Sequence, residues 1–332
     1  MDALVKAKLD RLIDLFEIVC SEYKWEQSLT NHFTALTYTL NNKPFDKEAV
    51  ENVRKYIKKT TGIFSYYRGT SRIILSSLLA CKYDNPKQEF DKMLNYDKRM
   101  KEAGFKNGMY VPMANYALLA TSTEERAEAR INKAIEIYKE MKKNHPWLTS
   151  GDDYPLSMLL SDSDMPVNNI IDNMEECYNL LNENGFGKNN GLQFLSHILS
   201  FSKEENKVKV IRCKEIFDKL KANKMKVYSG GYAVIGFLSI LGDQAQGAVD
   251  QVIEIVKILQ STKKYKWLTK ETHLFTAASL VSDLYIDNMK NQKELIQTTI
   301  GISIEALIAA QMAASIAAAS AVASSSAASS SS

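Results

Sequence analysis

The chain has 332 residues and a formal net charge of +3, with only 14 glycines and 6 prolines. That is about half of the usual ~12% share of these two residues, too little for an architecture of strands and tight turns. A 45% hydrophobic and 24% charged composition excludes a disordered or collagen-like chain, and so small a net charge does not by itself imply a nucleic-acid or membrane partner.

The first predicted elements form a cap over residues 1–45. Residues 2–22 place Leu9, Leu12, Ile13, Phe16 and Val19 on one face of a charged helix, residues 27–42 form a second helix, and Pro44 breaks the chain. The N-terminus lacks the uninterrupted apolar core of a signal peptide. The four cysteines (Cys20, Cys81, Cys177 and Cys213) contain no CxxC pair, which leaves zinc-ribbon and thioredoxin-like chemistry without support and points to a reduced, cytoplasmic protein.

From residue 46 to 285 the sequence repeats with a period near 40. Met100, Met141, Leu181, Leu220 and Leu259 end successive amphipathic segments, and a second apolar column runs through Leu78, Leu118, Leu159, Ile198, Leu238 and Ala278. Each unit reads as an outer helix A, a basic or glycine-containing turn, one apolar residue (Phe105, Trp147, Phe186, Met225, Trp267), and a more apolar helix B. Helix B is hydrophobic nearly all round, so it belongs between layers. Two residues before the second column stand Ser76, Tyr116, Ser157, Ser196, Gly236 and Thr276. Five of these six are small, which marks a seam where neighbouring backbones approach.

This grammar predicts an all-α fold: a right-handed α-α superhelix, or solenoid, of about six hairpins in a single domain over 1–323. A C-terminal Ala-rich helix at 286–323 and a disordered Ser-rich tail at 324–332 complete it. Alanine is the best helix former, so the favoured reading of the uncharged tail is a slim packed helix. Membrane contact through that tail is the competing reading, since eighteen uncharged residues reach the lower limit of a span in principle.

Four strings carry a resemblance: Phe64-Ser65-Tyr66-Tyr67-Arg68-Gly69, Asn144-His145-Pro146-Trp147-Leu148-Thr149, Asp152-Asp153-Tyr154-Pro155 and Leu195-Ser196-His197-Ile198-Leu199. With the Ala/Ser tail they resemble the bacterial, Firmicutes-type family catalogued as domain of unknown function 4003. The resemblance spans nearly the whole chain and implies a bacterial cytosolic helical protein, with no settled activity, ligand or partner.

Candidate chemistry is sparse. Arg68 and Arg72, one helical turn apart at the start of the first helix B, could hold a carboxylate or phosphate, or pair with a neighbouring helix. Asp152 and Asp153 open another helix B and read first as a cap, second as paired carboxylates. His197 lies in an apolar helix B and reads first as a hydrogen-bonded structural histidine, second as a general base. Lys207–Lys226 carries eight basic residues and reads as a solvated face. No GxGxxG, Walker A, GxSxG or HExxH motif occurs, and neither a cofactor nor a metal is expected. The first functional expectation is therefore a non-enzymatic scaffold for an unknown protein or peptide. An enzyme or metabolite-binding protein using Arg68, Arg72, Asp152, Asp153 and His197 is the second, and a membrane-associated protein the third.

Overall fold

A computed structural model describes residues 1–291, 306–316 and 318–319. Among them the chain is all-helical and contains no strand. The helices are α1 (Ala3–Glu22), α2 (Ser28–Leu40), α3 (Lys47–Thr60), α4 (Arg72–Lys82), α5 (Pro86–Ala103), α6 (Val111–Thr121) and α7 (Glu124–Asn144). They continue with α8 (Tyr154–Leu160), α9 (Val167–Glu183), α10 (Asn190–Leu199), α11 (Asn206–Ala222), α12 (Tyr232–Ser239), α13 (Ala245–Ser261) and α14 (Lys270–Asn291). Residues 306–316 form one more helix.

The chain forms two compact units. Among the described residues, unit 1 comprises 1–10, 136–153 and 160–291, and unit 2 comprises 11–135, 154–159, 306–316 and 318–319.

In unit 1 the hairpins α9/α10, α11/α12 and α13/α14 follow one another. α9 packs on α11 and α11 on α13; α10 packs on α12 and α12 on α14. One of the six predicted seam positions, Gly236, is a close approach. A side chain at Gly236 would place its Cβ 2.9 Å from Ile198 Cδ1, so any larger residue there would require Ile198 to shift. The N-terminal segment is tied to the last hairpin by Met1 N to Glu254 at 2.6 Å, by Asp2 N to Gln251 Oε1 at 2.9 Å and by a Lys8–Asp283 ion pair.

In unit 2, α4 packs on α2, α3 and α5, and α6 packs on α4 and α5. Asp46 caps α3 by accepting from Ala49 N at 2.9 Å, an acceptor placed at the helix end that has free amides. The helix at 306–316 buries Leu307, Ile308, Met312 and Ile316, as the packed reading of this segment requires. No helix among the described residues is long and apolar enough to cross a membrane. The middle of the expected 286–323 helix, and the expected disorder of 324–332, lie outside the described residues.

Three A-helices end alike. Phe105 N donates to Met100 O at 3.0 Å, Phe186 N to Leu181 O at 3.1 Å and Met225 N to Leu220 O at 3.0 Å. The preceding residue is left-handed in each: Gly104 (φ 109°), Gly185 (φ 90°) and Lys224 (φ 60°). Glycine adopts this conformation without a Cβ clash and lysine does not.

The column of apolar residues beyond these turns divides. Phe105 and Phe186 are buried, whereas Trp147 is 95% and Trp267 85% exposed. At the last corner Tyr265 fills the interior position, fully buried with its ring 6.1 Å from that of His273.

Candidate functional site

Unit 2 contains an open groove of about 560 Å³ at the α3–α4 corner. Its floor is Tyr67, buried and fixed by donating to Met93 O at 3.4 Å and accepting from Asn115 Nδ2 at 2.7 Å. Leu94 of α5 and Val111 and Pro112 of α6 form an apolar wall, and Asp97 and Lys101, paired at 2.6 Å, form a polar rim. Ile63 and Phe64 stand at the mouth, 76% and 93% exposed.

Arg68 holds this corner. Its guanidinium donates to Thr61 O at 2.6 Å, to Thr61 Oγ1 at 3.2 Å and to Lys58 O. A cation on the last carbonyls of α3 satisfies acceptors that the helix leaves open and complements its dipole. The expected one-turn spacing of Arg68 and Arg72 does not form, because Arg68 sits in a separate 3-10 turn (Tyr66–Arg68) ahead of α4. Arg72 lies beside a cluster in which Arg54 contacts Glu51 at 2.7 Å and Glu26 at 2.9 Å. Burial, with the nearby Arg54 charge, lowers its pKa, and its buried Nε has no hydrogen-bond partner.

Asp152, Asp153 and His197 belong to unit 1, around the corner that follows α7. The corner is rich in internal bonds. Lys142 Nζ donates to Pro146 O at 2.5 Å and Thr149 O at 2.6 Å, and Gln193 Nε2 of α10 donates to Thr149 Oγ1 at 2.7 Å. His145 Nε2 lies 2.9 Å from Glu175 Oε1, and its ring centroid 4.5 Å from that of Tyr178.

Asp153 does not cap the helix ahead of it, as the sequence suggested. Its carboxyl turns back and accepts from Ser150 N at 2.9 Å. Burial, then the adjacent Asp152 charge, pushes its pKa up to about 8, so it is mostly protonated at neutrality. Asp152 accepts from the Ser150 hydroxyl. His197 is fully buried, and desolvation, with the charge of His145, pushes its pKa down to about 3. It is neutral and its Nδ1 has no hydrogen-bond partner, so the expected hydrogen bond at that atom is missing. The five predicted site residues are thus divided: Arg68 and Arg72 in unit 2, Asp152, Asp153 and His197 in unit 1.

The basic run at 207–226 is also not one solvated face. Lys209 is 1% and Arg212 9% exposed, while Val208 and Ile211 point outward. Lys209 donates to Leu199 O at 3.0 Å and Ser202 O at 3.2 Å, and Arg212 to Ser239 O at 2.9 Å. Unit 2 has a counterpart in Arg130, which donates to Thr121 O at 2.7 Å and Met158 O at 2.6 Å. These cations cap the ends of B-helices. The signal for them in sequence is a cation on the apolar face at the start of an A-helix, a phase error in the amphipathic pattern.

Among the described residues no group of His, Cys, Asp and Glu is placed to hold a metal. The architecture is that of an all-helical protein built from packed hairpins. The chain belongs to the family described as protein of unknown function (DUF4003), which it matches over residues 15–313. It is also similar to the uncharacterized protein YeaA of Bacillus subtilis (strain 168), 28% identical over 309 residues that cover 92% of this chain and 91% of that protein. No solved structure matches.

Proposed function

We propose that the protein is a non-enzymatic helical-repeat scaffold that binds a peptide or protein segment in the unit 2 groove. The observation that carries this reading is the groove mouth. Two large apolar side chains, Ile63 and Phe64, are held in water on a corner that Arg68 braces, above a wall of Leu94, Val111 and Pro112. Exposure of such side chains costs solvation, and a cluster of them beside a concave apolar wall suits an inserted apolar anchor. The finer parts of the proposal are that the hairpins of 46–285 continue one right-handed superhelix within a single domain, and that the protein works in the cytoplasm. Stacked hairpins present extended surfaces of this kind.

A photoreactive amino acid in place of Phe64 tests the reading. A stoichiometric protein crosslink that is lost in an Ile63→Glu background supports it. Absence of any specific protein crosslink, with a small metabolite co-purifying at the groove instead, overturns it.

A further inference from the structure

Unit 1 carries a second surface, on the edge where its A-helices turn into B-helices. Four corners meet along this edge. Gln193 of the α9/α10 hairpin bonds Thr149 of the corner after α7. A Cβ at Gly191 would lie 2.0 Å from Ser229 O of the α11–α12 corner, and one at Gly230 would lie 3.6 Å from the carboxylate of Glu271 at the start of α14. From three of these corners an aromatic ring stands into solvent: Trp147 at 95%, Tyr228 at 58% and Trp267 at 85% exposure.

Lysine dominates the charge on this edge, with Glu271 at the start of α14 and Asp152 on the Trp147 corner as its acidic residues. The corner segments 184–191, 223–231 and 262–270 hold seven lysines (Lys188; Lys224 and Lys226; Lys263, Lys264, Lys266 and Lys270), with no aspartate, glutamate or arginine. All seven are exposed. Lys224 occupies the left-handed position that Gly104 and Gly185 take in the sister corners, so a lysine stands there against the backbone preference.

Protruding tryptophan and tyrosine among lysines fit the interface of an anionic bilayer. The amphipathic rings settle at headgroup depth and the ammonium groups meet lipid phosphates. A single strand of nucleic acid would also attract the lysines, but base stacking calls for rings laid along a groove, usually with arginine. Here the rings stand exposed on three separate corners. We propose that the corner edge of unit 1 docks peripherally on an anionic phospholipid surface, without insertion of a helix. The groove of unit 2 plays no part in this.

The chain's three tryptophans are Trp25, Trp147 and Trp267, so full-length Trp25→Phe protein reports from this edge alone. Its emission should shift to the blue with vesicles of phosphatidylglycerol and phosphatidylcholine, should not shift with phosphatidylcholine alone, and should recover on adding salt. In co-sedimentation, Lys263→Gln/Lys264→Gln/Lys266→Gln should weaken partitioning on the order of a hundredfold, and Trp147→Ala/Trp267→Ala about tenfold. The Ile63→Glu/Phe64→Glu groove variant should partition like the wild type. Failure to bind the anionic vesicles, binding indifferent to the corner substitutions, or loss of binding in the groove variant alone each overturns the proposal. So does tight binding of an oligothymidine by the same lysines in place of vesicles.

Discussion

The two units bury polar groups by different means. In unit 2 a single arginine, Arg130, reaches the last carbonyls of both α6 and α8 through Thr121 O and Met158 O. In unit 1 the equivalent work is divided: Lys209 serves the end of α10 and Arg212 the end of α12. Arg212 in addition holds Glu204 at 2.6 Å. Unit 1 also buries Asp153 and His197, both kept neutral rather than paired. A planar guanidinium has donors enough for two helix ends, whereas an ammonium on one stem cannot span them. For α6 and α8 unit 2 thus uses one side chain, where unit 1 uses two for α10 and α12.

That contrast is open to direct attack. Arg130→Met strands two buried helix ends at once and should cost about 3 kcal/mol in urea unfolding, at about 1–3 kcal/mol for each unsatisfied buried acceptor. Lys209→Met should cost about 1 kcal/mol. It leaves Leu199 O and Ser202 O unsatisfied, but it also releases an ammonium whose pKa burial already depresses, which offsets part of the loss. Equal losses for the two variants would dissolve the distinction.

The neutral pair of unit 1 gives the next effect, in the pH dependence. Asp153 has a folded pKa near 8, well above the ordinary 3.8. Between those values the folded state holds a proton that the unfolded state lacks, so its contribution falls as pH rises. His197 has a folded pKa near 3 against 6.5. There the unfolded state holds the extra proton, and stability rises with pH. From about pH 4 to 6.5 the two slopes oppose and cancel. Above 6.5 only Asp153 acts, at about 1.4 kcal/mol per pH unit, so roughly 2 kcal/mol is lost by pH 8. Asp153→Asn keeps the acceptor for Ser150 N and should abolish that loss. His197→Gln should instead uncover a decline that begins near pH 4. Parallel stability curves for wild type and Asp153→Asn would show that Asp153 is ionised in the fold.

Much of the architecture is legible in the sequence, because it rests on period and size. The apolar spacing marks the helices, and the small residue Gly236 marks the close approach of α12 to Ile198 of α10. The sites are less legible for a physical reason. Arg68 and Arg72 share a helical spacing on paper, yet a 3-10 turn intervenes and Arg68 is committed to α3 carbonyls. Asp153 stands at a capping position, yet its carboxyl turns backward. Both outcomes depend on where orphaned carbonyls and amides of other segments lie, and spacing along one element does not encode that. Trp147 and Trp267 fit the apolar column by residue type alone, while corner geometry turns them outward.

The seam column itself separates the units. Gly236→Ala in unit 1 drives a methyl against Ile198 and should cost about 1–2 kcal/mol by overpacking. Its counterpart in unit 2, Ser76, is fully buried and its hydroxyl has no hydrogen-bond partner. Ser76→Ala removes an unsatisfied polar atom without adding volume, and should leave thermal stability unchanged or slightly raised. Opposite signs at equivalent positions would locate the close approach at α10–α12. Equal costs would mean that the column is uniformly tight.

The smallest effect lies at the left-handed corners, and it too should differ in sign between the units. Gly104 of unit 2 has φ 109° with open space around its Cα, so Gly104→Ala should cost about 1 kcal/mol through backbone strain alone. Lys224 of unit 1 already carries that strain at φ 60°. Lys224→Gly should relieve it and raise stability, by somewhat less than about 1 kcal/mol because the unfolded chain gains freedom with glycine. The same variant removes one positive charge from the corner edge, so it should weaken partitioning onto anionic vesicles while stabilising the fold. Stability and surface affinity moving in opposite directions at one residue would mean that the lysine is kept for its charge and not for the turn.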